Sequence, residues 1–196
     1  NEISTFPDYP AEIRAPQGTL SGVSGYQVHV GSKKIHTPGD LADVLIAMNP
    51  AALKVNKNAI KSTAIIIADS DAFDANNLAK AGFKTEDPFE ELNLKGVQLI
   101  MAPITSMVKA SLAESGMDNK SILRSKNMFA LGLLCWLFNI PVDTAMHLLT
   151  NKFKKKQDVL KANLKVLTDG YNYGHNTHSS VSTYHVDSTD MPKGTY

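Results

Sequence analysis

Runs of apolar residues, bounded by polar ones, predict short strands in the first half of the chain. These runs lie at residues 43–48, 64–68 and 97–102. A short apolar run without alternation is typical of a strand buried on both faces, as in a parallel sheet. Helical periodicity follows each run, at residues 50–60, 74–81 and 103–115. This alternation predicts an α/β fold, a three-layer α/β/α sandwich with a mostly parallel sheet and additional C-terminal helices.

The junction after the first of these strands has the clearest local signals. Asn49 is a good helix N-cap, and Pro50 suits the first helical turn. Open α/β sheets bind ligands at the carboxyl ends of their strands. We therefore predict Asn49 as a cofactor-binding residue.

The remaining stretches are assigned by periodicity and by turn residues. Prolines predict a constrained loop over residues 1–20, and alternation predicts a strand over 22–31 with 34–36 as its hairpin partner. Residues 83–96 are predicted to be a loop. Helices are predicted from Asp118 or Asn119 to Phe138, and over 140–153 and 157–167. The composition changes at Gly170, and we predict an extended tail or linker over 176–196.

Composition and charge narrow the class of protein. The chain has 196 residues, a formal net charge of +1 and one cysteine, Cys135. A net charge so close to zero argues against nucleic acid or an anionic membrane as a partner. A single cysteine provides no disulfide framework, iron–sulfur cluster or cysteine-rich zinc site, and it favours a cytoplasmic protein. No signal peptide is visible, and since the first residue is Asn1 we expect a fragment or trimmed product.

Three polar clusters each have a functional and a structural interpretation. His175 and His178 have metal-ligand spacing but no acidic or cysteine partner, so no metal site is predicted. Asp69, Asp71 and Asp74 resemble half a cation loop, and they also suit turns and helix caps. Lysines within residues 152–156 form either a solvated helix end or a partner-docking patch.

The loop containing Glu12 and Arg14 is the strongest candidate for an active-site element. Prolines stiffen this loop, and a stiff loop holds polar groups in place at low entropic cost. Alternatively, Arg14 braces the carbonyls of its own loop.

Several stretches together resemble a known family. They are Tyr9-Pro-Ala-Glu-Ile-Arg-Ala-Pro-Gln-Gly-Thr, Ser24-Gly-Tyr-Gln-Val-His-Val, Ile35-His-Thr-Pro-Gly-Asp, Asp43-Val-Leu-Ile-Ala-Met-Asn, Arg124-Ser-Lys-Asn-Met-Phe-Ala-Leu-Gly and Gly170-Tyr-Asn-Tyr-Gly. This combination resembles the gamma-type domain of 2-oxoacid:ferredoxin oxidoreductases, above all the N-terminal part of the alpha subunit of the 2-oxoglutarate enzymes. The resemblance covers residues 1–175 and implies a preceding strand, glycine-rich turn and helix that this sequence lacks.

The resemblance implies one domain of an enzyme that converts a 2-oxoacid, expected to be 2-oxoglutarate, to acyl-CoA, CO2 and reduced ferredoxin. Thiamine diphosphate, Mg, a [4Fe-4S] cluster and coenzyme A serve the complete enzyme, and none is expected to bind this chain alone. The implied partners are the rest of the alpha subunit, the beta subunit and, through the complex, ferredoxin, in a dimer or hetero-oligomer. The resemblance also implies that Arg14 faces the active site and binds a carboxylate or phosphate, through two parallel hydrogen bonds where the geometry allows. Glu12 would then orient Arg14. A non-catalytic α/β nucleotide-binding or assembly module is the alternative.

Overall fold

The computed structural model describes residues 2–8, 23–177 and Tyr184, and five strands and eight α-helices are assigned among them. The strands are β1 (Glu2–Asp8), β2 (Gly25–Gly31), β3 (Ala42–Ala47), β4 (Ile60–Asp69) and β5 (Gln98–Ala102). The helices are α1 (Pro50–Asn56), α2 (Ala75–Lys80), α3 (Pro88–Glu91), α4 (Ile104–Ser111), α5 (Asn119–Leu123), α6 (Lys126–Leu137), α7 (Val142–Phe153) and α8 (Gln157–Thr177). Short 3-10 turns occupy Lys57–Ala59 and Ser70–Ala72.

Two sheets are present among the described residues. Strands β3, β4 and β5 form a parallel sheet in that order, and β1 pairs with β2 in a separate antiparallel ribbon. The predicted α/β class, with its parallel sheet and C-terminal helices, is confirmed. The chain forms two compact units, the first comprising residues 2–8, 23–66 and 73–98 and the second comprising 67–72, 99–177 and 184.

Burial differs among the three strands of the parallel sheet. Residues 64–68 of β4 are at most 1% exposed, as an apolar run in a central strand predicts. In β5, by contrast, Leu99 and Met101 are 39% and 38% exposed and alternate with buried Ile100 and Ala102. The prediction of burial on both faces is therefore wrong for β5. Because β5 is an edge strand among the described residues, fewer neighbours cover it.

The start of the strand–helix unit formed by β3 and α1 agrees with its sequence signals, whereas the predicted helix is too long, since α1 ends at Asn56 and Ile60 begins β4. Pro50 begins α1, and Leu53 packs with Ala47, Ile60 and other apolar residues in the core of the first unit. Lys54 extends from α1 to the C-terminal end of α2. Its Nζ donates to the carbonyl oxygens of Ala81 at 3.0 Å and Gly82 at 2.6 Å. This cation stabilises two helix-terminal acceptors.

The N-terminal prediction is wrong where the structure describes it. Glu2–Asp8 is a strand, and it pairs with β2 in the register Ile3–Val30 and Pro7–Tyr26. Pro7 is compatible with this ribbon because its missing donor can lie on an open edge. Residues 34–36 are not the hairpin partner of β2. Instead, the Ile35 N–H donates to Ser4 Oγ at 3.3 Å.

Several predicted loop and helix boundaries also need correction. Asp87 and Pro88 start the short helix α3 within the predicted loop, and α4 ends at Ser111 instead of residue 115. The single helix predicted from residue 118 to 138 is broken at Arg124 and Ser125 into α5 and α6. Helix α8 extends ten residues beyond its predicted end at Leu167. Polar residues after Gly170 continue it because the helix needs only one packed face.

Helices α6, α7 and α8 of the second unit share a hydrophobic core. Leu149 of α7 packs with Leu160 and Leu167 of α8, and half-buried residues of α6 join this cluster. Beyond α8, the backbone N–H of Tyr184 donates to the carbonyl of Leu137 at 2.7 Å. The Tyr184 ring lies 5.4 Å from that of Phe138, centroid to centroid. Within the described ranges, each helix is either too short or too polar to span a lipid bilayer.

Candidate functional site

The two residues with the strongest sequence-based assignment lie outside the described residues. Glu12 and Arg14 both belong to the segment between β1 and residue 23. Their roles as an orienting carboxylate and an anion-binding guanidinium stay predictions.

Asn49 is described, and its side chain caps a helix. Its backbone is extended, and Oδ1 accepts a hydrogen bond from the Ala52 N–H at 2.8 Å. This bond satisfies one of the donors left open at the start of α1. The cap explains why asparagine suits this position, and a contact with a cofactor stays a prediction.

Polar contacts join two of the stretches that carry the family resemblance in the first unit. Gln27 Nε2 donates to the carbonyl of Asp40 at 3.2 Å, and His29 Nδ1 lies 3.7 Å from Asp40 Oδ2. The His29 ring also covers Gly31, where an added Cβ would lie 2.6 Å from His29 Nε2. The contacts of Gln27 and His29 with Asp40 therefore hold the stretch at 24–30, in β2, against the stretch at 35–40, in the loop that follows.

A buried polar cluster lies in the second unit, at the carboxyl end of β4. Asp69 is completely buried, yet its carboxylate has three partners. Oδ2 lies 2.6 Å from Lys126 Nζ and accepts from Thr105 Oγ1 at 2.6 Å, and Oδ1 accepts from the Thr105 N–H at 3.1 Å. A buried carboxylate is tolerated only when it is paired and hydrogen-bonded, and this one satisfies both conditions.

A second carboxylate binds the same helix start. Asp71 Oδ2 accepts from the Ser106 N–H at 2.6 Å, next to the Thr105 N–H that Asp69 binds. The first turn of α4 therefore meets two anions supplied by the chain, which the helix dipole favours. Lys126, at the start of α6, supplies the compensating positive charge. The arrangement fixes the start of α4 and provides no evidence of an external ligand.

The three aspartates that resemble a cation loop have separate structural roles. Asp69 is in the ion pair and Asp71 binds the start of α4, whereas Asp74 caps α2 by accepting from the Asn77 N–H at 2.8 Å. Among the described residues, no cluster of His, Cys, Asp or Glu could hold a metal ion. The interpretation as turn and cap residues agrees with these bonds.

The stretches at 124–132 and 170–174, which also carry the family resemblance, meet where glycines allow α6 and α8 to approach closely. A Cβ on Gly132 of α6 would collide with the Leu167 carbonyl oxygen, and one on Gly170 of α8 would collide with the Phe129 carbonyl oxygen. Gly174 lies under the ring of Trp136, with an added Cβ only 2.5 Å from Cε3. The stretches at 124–132 and 170–174 thus form one helix–helix crossing at backbone contact.

Cys135 is one of the buried residues of α6. It is 3% exposed, and desolvation by burial raises the pKa of its thiol. A [4Fe-4S] cluster requires four protein ligands, normally cysteine thiolates. The chain's single cysteine therefore does not fit such a cluster, and Cys135 is a core residue.

Sequence reasoning missed the grouping of Asp69, Thr105 and Lys126. The available signal was a carboxylate directly after a fully apolar strand, which predicts burial and hence a cationic partner. Many lysines could have supplied that cation. Only the packing of α6 against the end of β4 selects Lys126.

Comparison with known proteins identifies the family. The family model for pyruvate ferredoxin/flavodoxin oxidoreductase matches residues 1–173. The chain belongs to this oxidoreductase family.

Two relatives resemble this member of the family over nearly all of its length. The KorA subunit of 2-oxoglutarate oxidoreductase from Mycobacterium tuberculosis is 39% identical over 196 residues, all of this chain and 30% of KorA. A solved 2-oxoglutarate:ferredoxin oxidoreductase from Magnetococcus marinus, with 2-oxoglutarate, coenzyme A and succinyl-CoA bound, is 30% identical with a TM-score of 0.66. That alignment covers 96% of this chain and 28% of the solved chain. The chain thus spans less than a third of the length of either relative.

Proposed function

We propose that this chain is a domain of a 2-oxoacid:ferredoxin oxidoreductase whose substrate is 2-oxoglutarate. The observation that carries the proposal is the identity of 39% with KorA over all 196 residues. The solved relative bound to 2-oxoglutarate and succinyl-CoA supports the same substrate and product. In this reaction 2-oxoglutarate loses CO2, coenzyme A accepts the succinyl group, and two electrons reduce ferredoxin.

The cofactors of this proposed reaction are assigned to other parts of the enzyme. Thiamine diphosphate with Mg supplies the carbanion chemistry of decarboxylation, and a [4Fe-4S] cluster carries the electrons. The single cysteine cannot supply the ligands of that cluster. The described residues likewise contain no cluster of three or more His, Cys, Asp or Glu side chains that could hold Mg. We therefore expect the 196-residue polypeptide alone to be inactive.

The contribution of this domain to the reaction is substrate positioning from the loop that contains Arg14. Its guanidinium is permanently charged and can form a bidentate contact with a carboxylate or phosphate. Both 2-oxoglutarate and coenzyme A present such groups. Glu12 would orient Arg14, and Asn49, which follows β3, would contact a cofactor.

The partners of the domain follow from the same proposal. They are the remaining domain of the alpha subunit, the beta subunit and ferredoxin, with the complex in the cytoplasm. Coverage of only 28–30% of the relatives indicates that a larger multi-domain or multi-subunit enzyme contains this chain. The dimeric or hetero-oligomeric state is part of the proposal.

An anaerobic assay of the complete enzyme tests this function. The complete subunit containing this chain is produced with its beta subunit, and reduction of methyl viologen is followed with 2-oxoglutarate or pyruvate, each with and without coenzyme A. We expect dye reduction that requires coenzyme A and a higher kcat/KM for 2-oxoglutarate. The isolated 196-residue polypeptide is the inactive control. Absence of coenzyme A-dependent activity with 2-oxoglutarate would overturn the proposal.

A further inference from the structure

We propose that the C-terminal end of α7 and the turn after it dock an acidic electron-carrier protein. This surface is defined by Leu148 and by the lysines at 152, 154, 155 and 156, and is called the lysine surface below. The identity of the partner rests on the proposed function, since an electron carrier is needed only if the enzyme reduces one.

The lysine surface places four of the chain's 20 lysine and arginine residues within a five-residue stretch. Its four lysines are all exposed, and none forms an ion pair with another residue in the described part of the chain. The formal net charge of the whole chain is +1, so the other residues together carry −3. A local excess of cations on a nearly neutral protein attracts an acidic surface and orients it as it approaches.

Leu148 adds an exposed apolar side chain beside these cations. It is 64% exposed, the highest value among the large hydrophobic residues that the structure describes. It lies one helical turn before Lys152, whereas its neighbour Leu149 is buried against α8. The core of the second unit therefore packs without the side chain of Leu148. An exposed apolar side chain one turn before a run of cations offers both an apolar contact and polar contacts, which protein–protein interfaces combine as core and rim.

Interaction with the helix dipole explains only part of this arrangement. Cations at the last turn of α7 stabilise it, which accounts for Lys152 and Lys154. Lys155 and Lys156 lie beyond the helix, and the dipole gives no reason for the exposure of Leu148. An acidic protein partner accounts for all five residues together.

The local chemistry favours a protein over nucleic acid. Single-stranded nucleic acids stack on exposed aromatic rings, whereas Phe153 is only half-exposed and the Lys152 ammonium lies 5.6 Å from its ring centroid. The phosphates of duplex DNA would leave Leu148 without a role. Carboxylates on a folded partner match the lysines, and an apolar depression on it matches Leu148.

The test compares two charge-reversed forms of the complete enzyme. The first carries Lys154→Glu, Lys155→Glu and Lys156→Glu. The control carries Lys57→Glu, Lys95→Glu and Lys109→Glu, which are also exposed and not ion-paired in the described structure. Turnover is measured with an acidic ferredoxin and with methyl viologen, and the Kd of the ferredoxin is measured directly by calorimetry.

At low salt we expect the first variant to raise both KM and Kd for ferredoxin about tenfold while turnover with methyl viologen is unchanged. The difference should shrink with added salt, because the Debye length falls from about 30 Å at 0.01 M to about 3 Å at 1 M. Leu148→Ala should weaken ferredoxin binding with little dependence on salt. The control variant should bind ferredoxin as the parent does.

Three other results would each overturn the docking proposal. They are an unchanged Kd for ferredoxin in the first variant, an equal loss in the control variant, and preferential binding of a DNA oligonucleotide in place of ferredoxin. Failure of the parent enzyme to reduce methyl viologen with 2-oxoglutarate would instead overturn the proposed function. The direct binding measurement keeps these two failures distinguishable.

Discussion

Lys126 is the cationic partner of the completely buried Asp69, with Nζ 2.6 Å from Oδ2. This pair joins the first residue of α6 to the last residue of β4. Removing one member of a buried pair leaves the other charge without compensation, which is far more costly than losing an exposed pair. The relationship leads to a direct test of stability.

We predict that Lys126→Met lowers the free energy of unfolding by about 3–5 kcal/mol. Exposed Lys120 in α5 is the control, and Lys120→Met should change this free energy by no more than about 0.5 kcal/mol. Combining Lys126→Met with Asp69→Asn should recover part of the loss, because the neutral amide needs no cation. Urea denaturation measures all three variants. Equal midpoints and slopes for the Lys126→Met variant and the parent would contradict the prediction.

The contact between α6 and α8 predicts strong intolerance of a single methyl group. In Gly170→Ala the new Cβ would meet the Phe129 carbonyl oxygen, so the two helices would have to separate. We expect a loss of about 3 kcal/mol or more, at or above the upper end for overpacking. Thermal and urea unfolding measure the effect.

Gly25→Ala is the matched control for this substitution. A Cβ there would lie 3.6 Å from the Cβ of Asp8, an ordinary van der Waals distance. We expect a change within about 1 kcal/mol. If both variants unfolded at the same urea concentration, the importance of backbone contact at Gly170 would be refuted.

The environment of Cys135 predicts slow alkylation and a dependence of stability on pH. Burial raises the pKa of this thiol, whereas an unfolded cysteine titrates near about 8.5. At pH 8.5, iodoacetamide should label the folded protein more than about tenfold slower than protein unfolded in urea, because the thiolate is the nucleophile. Mass spectrometry measures the rate, and equal labelling rates would show that the thiol is accessible.

The sign of the pH effect follows from the same pKa shift. A raised pKa in the folded state means that the stabilising contribution is fully present below the unfolded pKa. It is lost as the pH rises above about 8.5 toward the folded value. Urea unfolding at pH 7.5 and 9.5 should show this loss, and Cys135→Ala should reduce the difference between the two pH values.

Arg14 supplies the prediction about catalysis in the complete enzyme. Arg14→Ala should lower kcat/KM for 2-oxoglutarate or coenzyme A by about tenfold to 150-fold, corresponding to about 1.5–3 kcal/mol for a charge-assisted contact. Arg14→Lys should recover only part of this loss, because lysine retains the charge without the bidentate fork. Unchanged kinetics with reduced thermal stability in both variants would instead identify Arg14 as a brace for its own loop.

Much of the local structure could be predicted from the sequence because its causes are local. The apolar run at 64–68 and the pair Asn49–Pro50 predicted a buried strand and a helix start that the structure confirms. The stretches at 124–132 and 170–174 carried the family resemblance, and the family comparison confirms it. Apolar periodicity, caps and motifs depend on neighbouring residues, so one sequence displays them directly.

Tertiary structure decided which distant groups meet. Asp69 and Thr105 are 36 positions apart, and no local pattern pairs them or selects Lys126 as the third member. Likewise, Glu2–Asp8 became a strand despite Pro7 because β2 was available as a partner. The free energy of a buried ion pair or of a strand pairing depends on both partners, which lie far apart in the sequence. The sequence by itself therefore determined the class, the main elements and the family, and only packing determined these pairings.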